Sequence, residues 1–373
     1  MKLFDVYPRY AIAPVRANDV FVFDAEDQAY LDLYGGHAVI SIGHQHPQFT
    51  AALKAQMEQL MYYSNAVENP LQEELAQRLG SACGMNDYQL FLCSTGAEAN
   101  ENALKLASFH TQKSRVVAFY NSFHGRTSAA VAATDSPKLR APINTHHKVD
   151  FLPFNAPQKL EALLQQGDVA AVIIECIQGV GGLAQPETAF VQQLQQLCLK
   201  YDCLLIADEV QSGFGRTGHF FAFQAYGIQP DIISMAKGMG NGFPVGGVLI
   251  HPKIKPSYGL LGTTFGGNHL ACSAVLAVLE VIIAEALMEN ATAMGDYFFT
   301  KMKKFPHLIP KGKGLMLGID CGTPVAEIRK ELLYKHNIFT GGSSNANLLR
   351  LLPPLSLKTS HWDQFFSALK NVL

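Results

Sequence analysis

Six short apolar segments in the middle of the chain constrain its fold most. They are near-continuous runs rich in Val, Ile and Leu, at residues 89–93, 115–120, 170–174, 204–207, 232–235 and 247–250. Strands that are buried on both faces of a mostly parallel sheet have this pattern. Helical patterns lie between them, as at residues 97–107 and 190–200. The sequence therefore predicts a layered α/β domain from about residue 45 to 265.

The two ends of the chain have a different pattern. The elements predicted there are a hairpin over 20–33, helices over 270–288 and 325–336, strands near 338 and 348, and a last helix that Thr359 or Ser360 can cap. We expect residues 1–44 and 266–373 to form a smaller α+β domain beside the large domain, residues 45–265.

Composition excludes several classes of protein. Lys and Arg number 29 and Asp and Glu number 31, which gives a net charge of −2. The chain therefore lacks the excess of positive charge with which proteins bind nucleic acid or an anionic membrane. The N-terminus has no apolar core of a signal peptide, and no uncharged run reaches the roughly 18 residues of a membrane span. The seven cysteines form no CxxC pair. We therefore expect free thiols in a cytoplasmic protein.

A strand, a small-residue turn and a helix succeed one another at residues 91–101. Thr95 and Glu98 have the spacing of a capping box, and Gly96 lets the backbone approach a ligand closely. Free amides at this helix start would attract an anion such as a phosphate. Taken alone, the segment is more typical of an ordinary capped helix.

Asp208 and Lys237 each follow an apolar strand. Ligands of open α/β sheets bind at this end of the strands, and a carboxylate buried there needs a cation. Lys237 lies in a glycine-rich turn, where a lone lysine can act as an amine nucleophile. Taken one at a time, Asp208 could be an Asp that caps the next element, and Lys237 could be a surface Lys at a turn. Together with the phosphate cradle they indicate a pyridoxal 5'-phosphate site.

Two other motifs are weaker. The glycines of residues 213–218 have the G-x-G-x-x-G spacing of the dinucleotide-binding motif. They do not directly follow a predicted strand, however, and no clear helix begins after them. His44 and His46 form an HxH pair without an evident third metal ligand, so we interpret them as a turn into a helix. No metal site is expected.

Over essentially its whole length the chain resembles the class-III pyridoxal-phosphate aminotransferases, and among them the N-acetylornithine aminotransferases. The resemblance implies an aspartate-aminotransferase-like α/β fold, with a mostly parallel sheet in the large domain and a smaller α+β domain from both chain ends. The matching motifs occur in family order at residues 43–47, 94–101, 121–127, 208–211, 215–218, 229–231, 236–238, 242–244 and 263–268.

The resemblance implies eight cofactor-binding residues. Gly96 and Ala97 would bind the phosphate through backbone amides, and Thr264 would reach it from the other subunit of a homodimer with shared active sites. The rest would surround the ring: Phe123 and Val210 on its faces, Asp208 at its nitrogen, Gln211 near its hydroxyl and Lys237 bonded to it covalently. Lys237 and Asp208 would be the catalytic residues.

The resemblance also implies the substrates. Arg126, with Thr263 nearby, would bind the carboxylate of an N-acylornithine, and Arg350 would bind a carboxylate of glutamate or 2-oxoglutarate. The expected reaction transfers the terminal amino group of N2-acetylornithine to 2-oxoglutarate in arginine biosynthesis. Succinylornithine, ornithine and 4-aminobutyrate aminotransferases are the alternatives within the family, and an aminomutase or racemase is less favoured.

Two positions depart from the family pattern. Val180 replaces a glutamate that in relatives can pair with the carboxylate-binding arginine, and His37 lies where relatives carry a substrate-shaping residue. Both departures concern the acyl group and the amino donor rather than transamination. Outside the family, the alternatives are a nicotinamide oxidoreductase that uses the glycines of 213–218 and a binding protein without catalysis.

Overall fold

Fourteen strands and eleven helices make up the chain, and the computed structural model describes all 373 residues. The strands are β1 Arg16–Asn18, β2 Phe21–Phe23, β3 Ala29–Asp32, β4 Gln89–Cys93, β5 Arg115–Phe119, β6 Val149–Leu152, β7 Val169–Ile174, β8 Leu204–Asp208, β9 Ile232–Met235, β10 Gly246–Ile250, β11 Ile309–Lys313, β12 Met316–Asp320, β13 Ile338–Phe339 and β14 Leu348–Leu351.

The helices enclose these strands and vary from four to sixteen residues. They are α1 Gly35–Ala38, α2 Pro47–Met57, α3 Pro70–Cys83, α4 Gly96–Thr111, α5 Ser128–Ala132, α6 Pro157–Leu164, α7 Thr188–Lys200, α8 His269–Ala284, α9 Leu287–Met302, α10 Ala326–His336 and α11 Thr359–Val372. Short 3₁₀ turns cover Pro137–Leu139, Pro142–Asn144, Ala222–Tyr226 and Lys237–Met239.

A seven-stranded sheet, in the order β4-β10-β9-β8-β7-β5-β6, forms the centre of the molecule. All its strands are parallel except β10, which pairs antiparallel with both β4 and β9. This confirms the predicted mostly parallel sheet. The edge strand β6 was not predicted, because its sequence Val-Asp-Phe-Leu is only half-buried and lacks the continuous apolar pattern of the inner strands.

Two smaller sheets lie outside the central sheet. The first has the order β1-β2-β3-β13, so that β13, from the end of the chain, extends a meander from its beginning. The second is the antiparallel sheet β11-β12-β14. Because β14 carries Arg350, this second sheet brings a side chain from the last part of the chain to the loops beside the central sheet, where it contacts Gly179 and Gln211.

The apolar stretch 270–288 differs from its prediction as one helix. It contains all of α8 except its first residue, and the first two residues of α9. Ala286 between them adopts a left-handed backbone, and the two helices meet at 61°. No single helix of the structure is both long and apolar enough to cross a membrane. The bent pair α8 and α9 reaches the length and apolar composition of a membrane span only when the two helices are taken together.

The predicted cap of the last helix was also wrong in detail. Thr359 is already the first residue of α11, and Lys358 occupies the N-cap position without a side-chain cap. A side chain inside the helix cannot take the geometry of an N-cap, which requires a non-helical backbone. The seven cysteines are all free, as predicted, and six of them are buried.

The two weaker motifs have structural roles. Between residues 213 and 218 the chain forms a turn whose buried Arg216 donates hydrogen bonds to the carbonyls of Leu315 and Ile40, at 3.3 and 3.2 Å. No helix opens there to receive a dinucleotide phosphate. His44 and His46 pair with separate acids, and no cluster of three metal ligands exists.

Candidate active site

A cavity of about 390 Å³ opens at the carboxyl ends of the central strands. Its walls come from the start of α4, the loop after β5 and the turns after β8 and β9. The structure brings eight of the eleven predicted site residues to these walls: Gly96, Ala97, Phe123, Arg126, Asp208, Val210, Gln211 and Lys237.

Asp208 is held in a fixed orientation at the end of β8. One carboxylate oxygen, Oδ2, accepts hydrogen bonds from Asn100 Nδ2 and His124 Nδ1, each at 2.7 Å. The other oxygen, Oδ1, accepts only the Val210 amide, at 3.0 Å. Because a carboxylate oxygen can accept two hydrogen bonds, Oδ1 can receive one more donor from the cavity.

Further contacts fix this arrangement from behind. Ser234, the partner of Asp208 in the β8–β9 register, donates to Asn100 Oδ1 at 2.5 Å. Asn100 also donates to the carbonyl of His124 at 2.7 Å. All four side chains are buried, so the network is protected from competing water.

The start of α4 has the capping contacts of the segment that was predicted to form an anion cradle. The Thr95 hydroxyl accepts the Glu98 amide at 3.1 Å, while the Glu98 carboxylate accepts the Ser94 amide at 2.8 Å. A Cβ atom on Gly96 would lie 2.6 Å from Val210 Cγ1, so only glycine fits between this helix start and the β8 turn. The first amides of α4 consequently face the cavity without a side chain in front of them.

Lys237 extends into the cavity from the opposite side. Its backbone is left-handed, with φ of +47°, an uncommon conformation outside glycine that concentrates at functional sites. Burial lowers the pKa of the Lys237 amine to about 8; the Arg350 charge lowers it further and the Asp208 carboxylate opposes the shift. A neutral amine is therefore accessible near physiological pH.

Three residues of the site were not predicted from the sequence. Asn100 and His124 orient Asp208, and Glu175 accepts the amides of Phe123 and Gly179, both at 2.9 Å. Burial raises the pKa of Glu175, against the effect of His124. Glu175 directly follows the apolar strand β7, so the rule that selected Asp208 could also have found it.

The predicted carboxylate-binding arginines differ in their surroundings. Arg126 lines the cavity and is exposed, whereas Arg350 is only 2% exposed. Arg350 Nη1 donates to the Gly179 carbonyl at 2.5 Å and to Gln211 Oε1 at 3.3 Å. Neither guanidinium has a carboxylate oxygen within 4.0 Å. Both cations are thus free to bind an anionic ligand.

Thr263 and Thr264 lie outside this cavity. The Thr263 hydroxyl donates to the Glu98 carboxylate at 3.2 Å, on the outer side of the α4 start, and Thr264 is exposed. Within one chain, therefore, the structure does not bring Thr264 to the phosphate cradle.

The residues present fit pyridoxal 5'-phosphate. The uncovered amides of α4 suit its phosphate, the free acceptor capacity of Asp208 Oδ1 suits a protonated ring nitrogen, and the Lys237 amine suits its aldehyde. Phe123 and Val210 supply apolar contact for the ring.

Comparisons with known proteins agree with this geometry. Residues 6–373 match the family model described as "Aminotransferase class-III". The chain is 39% identical to the acetylornithine aminotransferase of Bacillus subtilis, over 100% of this chain and 97% of that protein. It is 40% identical to the acetylornithine aminotransferase of Archaeoglobus fulgidus, over 99% of this chain and 97% of that protein.

A solved structure supports the same assignment. The ornithine aminotransferase from Toxoplasma gondii, crystallised with oxidised glutathione and described with partial occupancy of pyridoxal phosphate at its active site, superposes with a TM-score of 0.89. It is 26% identical in sequence, and the match covers 98% of this chain and 91% of that chain. The chain therefore belongs to the class-III aminotransferases and is a pyridoxal-phosphate-dependent transaminase.

Proposed function

We propose that this chain is an N-acylornithine aminotransferase of the acetylornithine type. It transfers the terminal amino group of the acylated ornithine to 2-oxoglutarate, as a homodimer with shared active sites in the cytoplasm, and serves arginine biosynthesis. The names of the relatives, which are 35–40% identical, support the acylated donor. The charge of the cavity supports it independently.

The observation that favours an acylated donor is the lack of a free carboxylate in the cavity. Asp208 and Glu175 are the only acids in its walls, and both are buried and hydrogen-bonded. The cationic side chains in the walls are Arg126 and Lys237. Ornithine would bring an unpaired α-ammonium into this environment, which is costly, whereas an acyl group removes that charge.

Each residue has a role that follows from its position. The amides of Gly96 and Ala97 bind the phosphate, Asp208 holds the proton on the ring nitrogen, and Phe123 and Val210 fix the ring plane. Pyridoxal phosphate, when bound, withdraws electrons from the carbon that bears the amino group and makes its proton acidic.

The side chains of this chain do the remaining work. Lys237 Nζ takes up that proton from the substrate carbon and would deliver it to the aldehyde carbon of the cofactor, because its lowered pKa leaves a neutral amine available. Arg126 orients the carboxylate of the acylornithine, and Arg350 binds a carboxylate of 2-oxoglutarate. Planar guanidinium groups suit both tasks, because each can bind a carboxylate with two parallel hydrogen bonds.

The proposed function is tested by comparing amino donors. We expect kcat/KM with N-acetylornithine or N-succinylornithine to exceed that with ornithine or 4-aminobutyrate by at least about tenfold, which corresponds to about 1.4 kcal/mol. Glutamate formation from 2-oxoglutarate measures the rate with every donor. Faster turnover of ornithine than of both acylornithines would contradict the proposal.

Replacement of Lys237 tests the proton transfer. Lys237→Ala should lower kcat by about a thousandfold or more, because the acid–base group is lost. The wild-type protein should be yellow and lose that absorption with borohydride, while Lys237→Ala should lack the borohydride-sensitive species. Lys255→Ala, at an exposed lysine, is the control and should retain both rate and colour. A Lys237→Ala enzyme with a near wild-type rate would exclude this role.

Thr264 tests the shared site. Thr264→Ala should weaken cofactor retention about tenfold or more, because a hydrogen bond to a charged group is lost. The exposed Thr300 supplies the matched control, Thr300→Ala. Equilibrium dialysis of the cofactor measures the effect.

A mixed dimer separates the two possible locations of Thr264. If Thr264 serves the neighbouring subunit, a dimer of one Lys237→Ala chain and one Thr264→Ala chain contains one fully wild-type site. Such heterodimers should then regain about half of the wild-type activity and one tightly bound cofactor. The rates are measured at a cofactor concentration that leaves the Thr264→Ala homodimer mostly unloaded. If Thr264 serves its own chain, the only site that keeps Lys237 has the weakened phosphate contact, and the heterodimer shows no recovery over the Thr264→Ala homodimer.

A further inference from the structure

Arg350 is one member of a cluster of cationic side chains that no acid neutralises. Arg329, on α10, lies against the 340–342 segment: its Nη2 donates to the Thr340 carbonyl at 3.1 Å. Gly341 pairs through its backbone with Arg350 in both directions, at 2.8 and 2.9 Å. The Arg329 guanidinium thus lies against the segment that pairs with the backbone of Arg350. Burial lowers the pKa of the Arg350 guanidinium, and the nearby Arg329 charge also lowers it, while Tyr34 and Glu175 oppose the shift. Neither guanidinium has a carboxylate oxygen within 4.0 Å.

Unpartnered polar atoms concentrate in this cluster. The buried Nε atoms of Arg329 and Arg350 and the Thr340 hydroxyl have no hydrogen-bond partner, and they are three of nine such side-chain atoms in the protein. The nearby acid Asp32 is already engaged, since it accepts the Tyr34 and Gly35 amides and His44 Nε2. Glu175, whose charge also acts on Arg350, is occupied by the amides of Phe123 and Gly179. No carboxylate of the protein therefore contacts either guanidinium.

The element labelled α1, residues 35–38, is a left-handed turn that connects the cluster to the cavity. Residues 35–38 all have positive φ, between +54° and +69°, which is strained for His37 and Ala38. The turn places the His37 ring 2.6 Å from the Tyr34 hydroxyl, and the His37 carbonyl accepts a hydrogen bond from Gln211, which lines the cavity. The Tyr34 ring also lies against Gly341, within 2.7 Å of where a Cβ atom would be.

The positive charges of the cluster also affect the pKa of His37. Partial desolvation lowers the pKa of His37 to about 4, and the positive charges of Arg350, Lys237 and Arg329 contribute. The ring is therefore neutral at physiological pH and can donate a hydrogen bond without adding charge. A neutral donor at this point suits the amide of an acyl group.

We propose that Arg329, with Tyr34 and His37, forms a subsite for a carboxylate at the end of the acyl arm. This inference rests on the proposed acylornithine function and specifies its acyl group: donors with a dicarboxylic acyl group, such as succinyl, are better substrates than N-acetylornithine. The second carboxylate of such a donor neutralises a cation that acetylornithine would leave unpaired.

Val180 is consistent with this subsite. It lines the cavity next to Gly179, whose carbonyl accepts from Arg350, and it brings no charge. An acid at position 180 would neutralise Arg350 from within the protein. The advantage of a second substrate carboxylate would then decrease.

The test is the ratio of kcat/KM for N-succinylornithine to that for N-acetylornithine. The wild-type ratio should exceed one. Arg329→Gln should lower it about tenfold or more, while kcat/KM for N-acetylornithine changes by no more than about twofold. Lys330→Gln, the adjacent exposed residue on α10, is the matched control and should leave the ratio unchanged.

A second variant covers the case in which Arg329→Gln does not fold. Val180→Glu should also lower the succinyl-to-acetyl ratio. A wild-type ratio below one, or a ratio that neither variant changes, would overturn the subsite while leaving the proposed function intact. Absence of turnover with both acylornithines would instead overturn the proposed function itself.

Discussion

The buried carboxylate of Asp208 is the constraint on which the site depends. A charge at the end of an inner strand is costly unless its lone pairs are used. Asn100 from α4 and His124 from the loop after β5 satisfy one oxygen, and Ser234 from β9 orients Asn100 in turn. These contacts join the start of α4, the loop that carries Phe123 and the strands β8 and β9 into one unit. They leave a single acceptor position, on Asp208 Oδ1, for a donor in the cavity.

The charged side chains around this unit determine which substrate charges the cavity favours. The cavity walls contain two acids. The hydrogen-bond network engages Asp208, and backbone amides donate to Glu175. No carboxylate contacts Arg126 or Arg350, and we therefore propose both as partners of substrate carboxylates. A substrate ammonium other than the reacting one would meet no free carboxylate in the walls. In the subsite that we propose, the same imbalance extends to Arg329, beyond the family motifs, and would link the identity of the acyl group to the residues around His37.

The sequence predicted most of the fold because the inner strands are buried on both faces and therefore have continuous apolar sequences. It failed where that reason does not apply. Strand β6 is a half-buried edge, and the break between α8 and α9 depends on the backbone of Ala286 rather than on a change of composition.

The site was predictable to the extent that its residues belong to local motifs. Gly96, Asp208 and Lys237 each follow a strand, so spacing alone places them at one edge of the sheet. Asn100 and His124 act through contacts between distant segments, which no local pattern encodes. Arg329 belongs to no motif, and only the pairing of the 340–342 segment with β14 brings it near Arg350.

The most direct test of the central claim is the protonation state of the cofactor ring nitrogen. Solid-state nuclear magnetic resonance of the enzyme loaded with ¹⁵N-labelled pyridoxal phosphate reports that state at neutral pH. The structure predicts a protonated nitrogen in the wild-type enzyme, and a deprotonated nitrogen with a severe loss of turnover in Asp208→Asn, because a neutral amide cannot hold the proton. A protonated nitrogen and full activity in Asp208→Asn would contradict the role assigned to the Asp208 network.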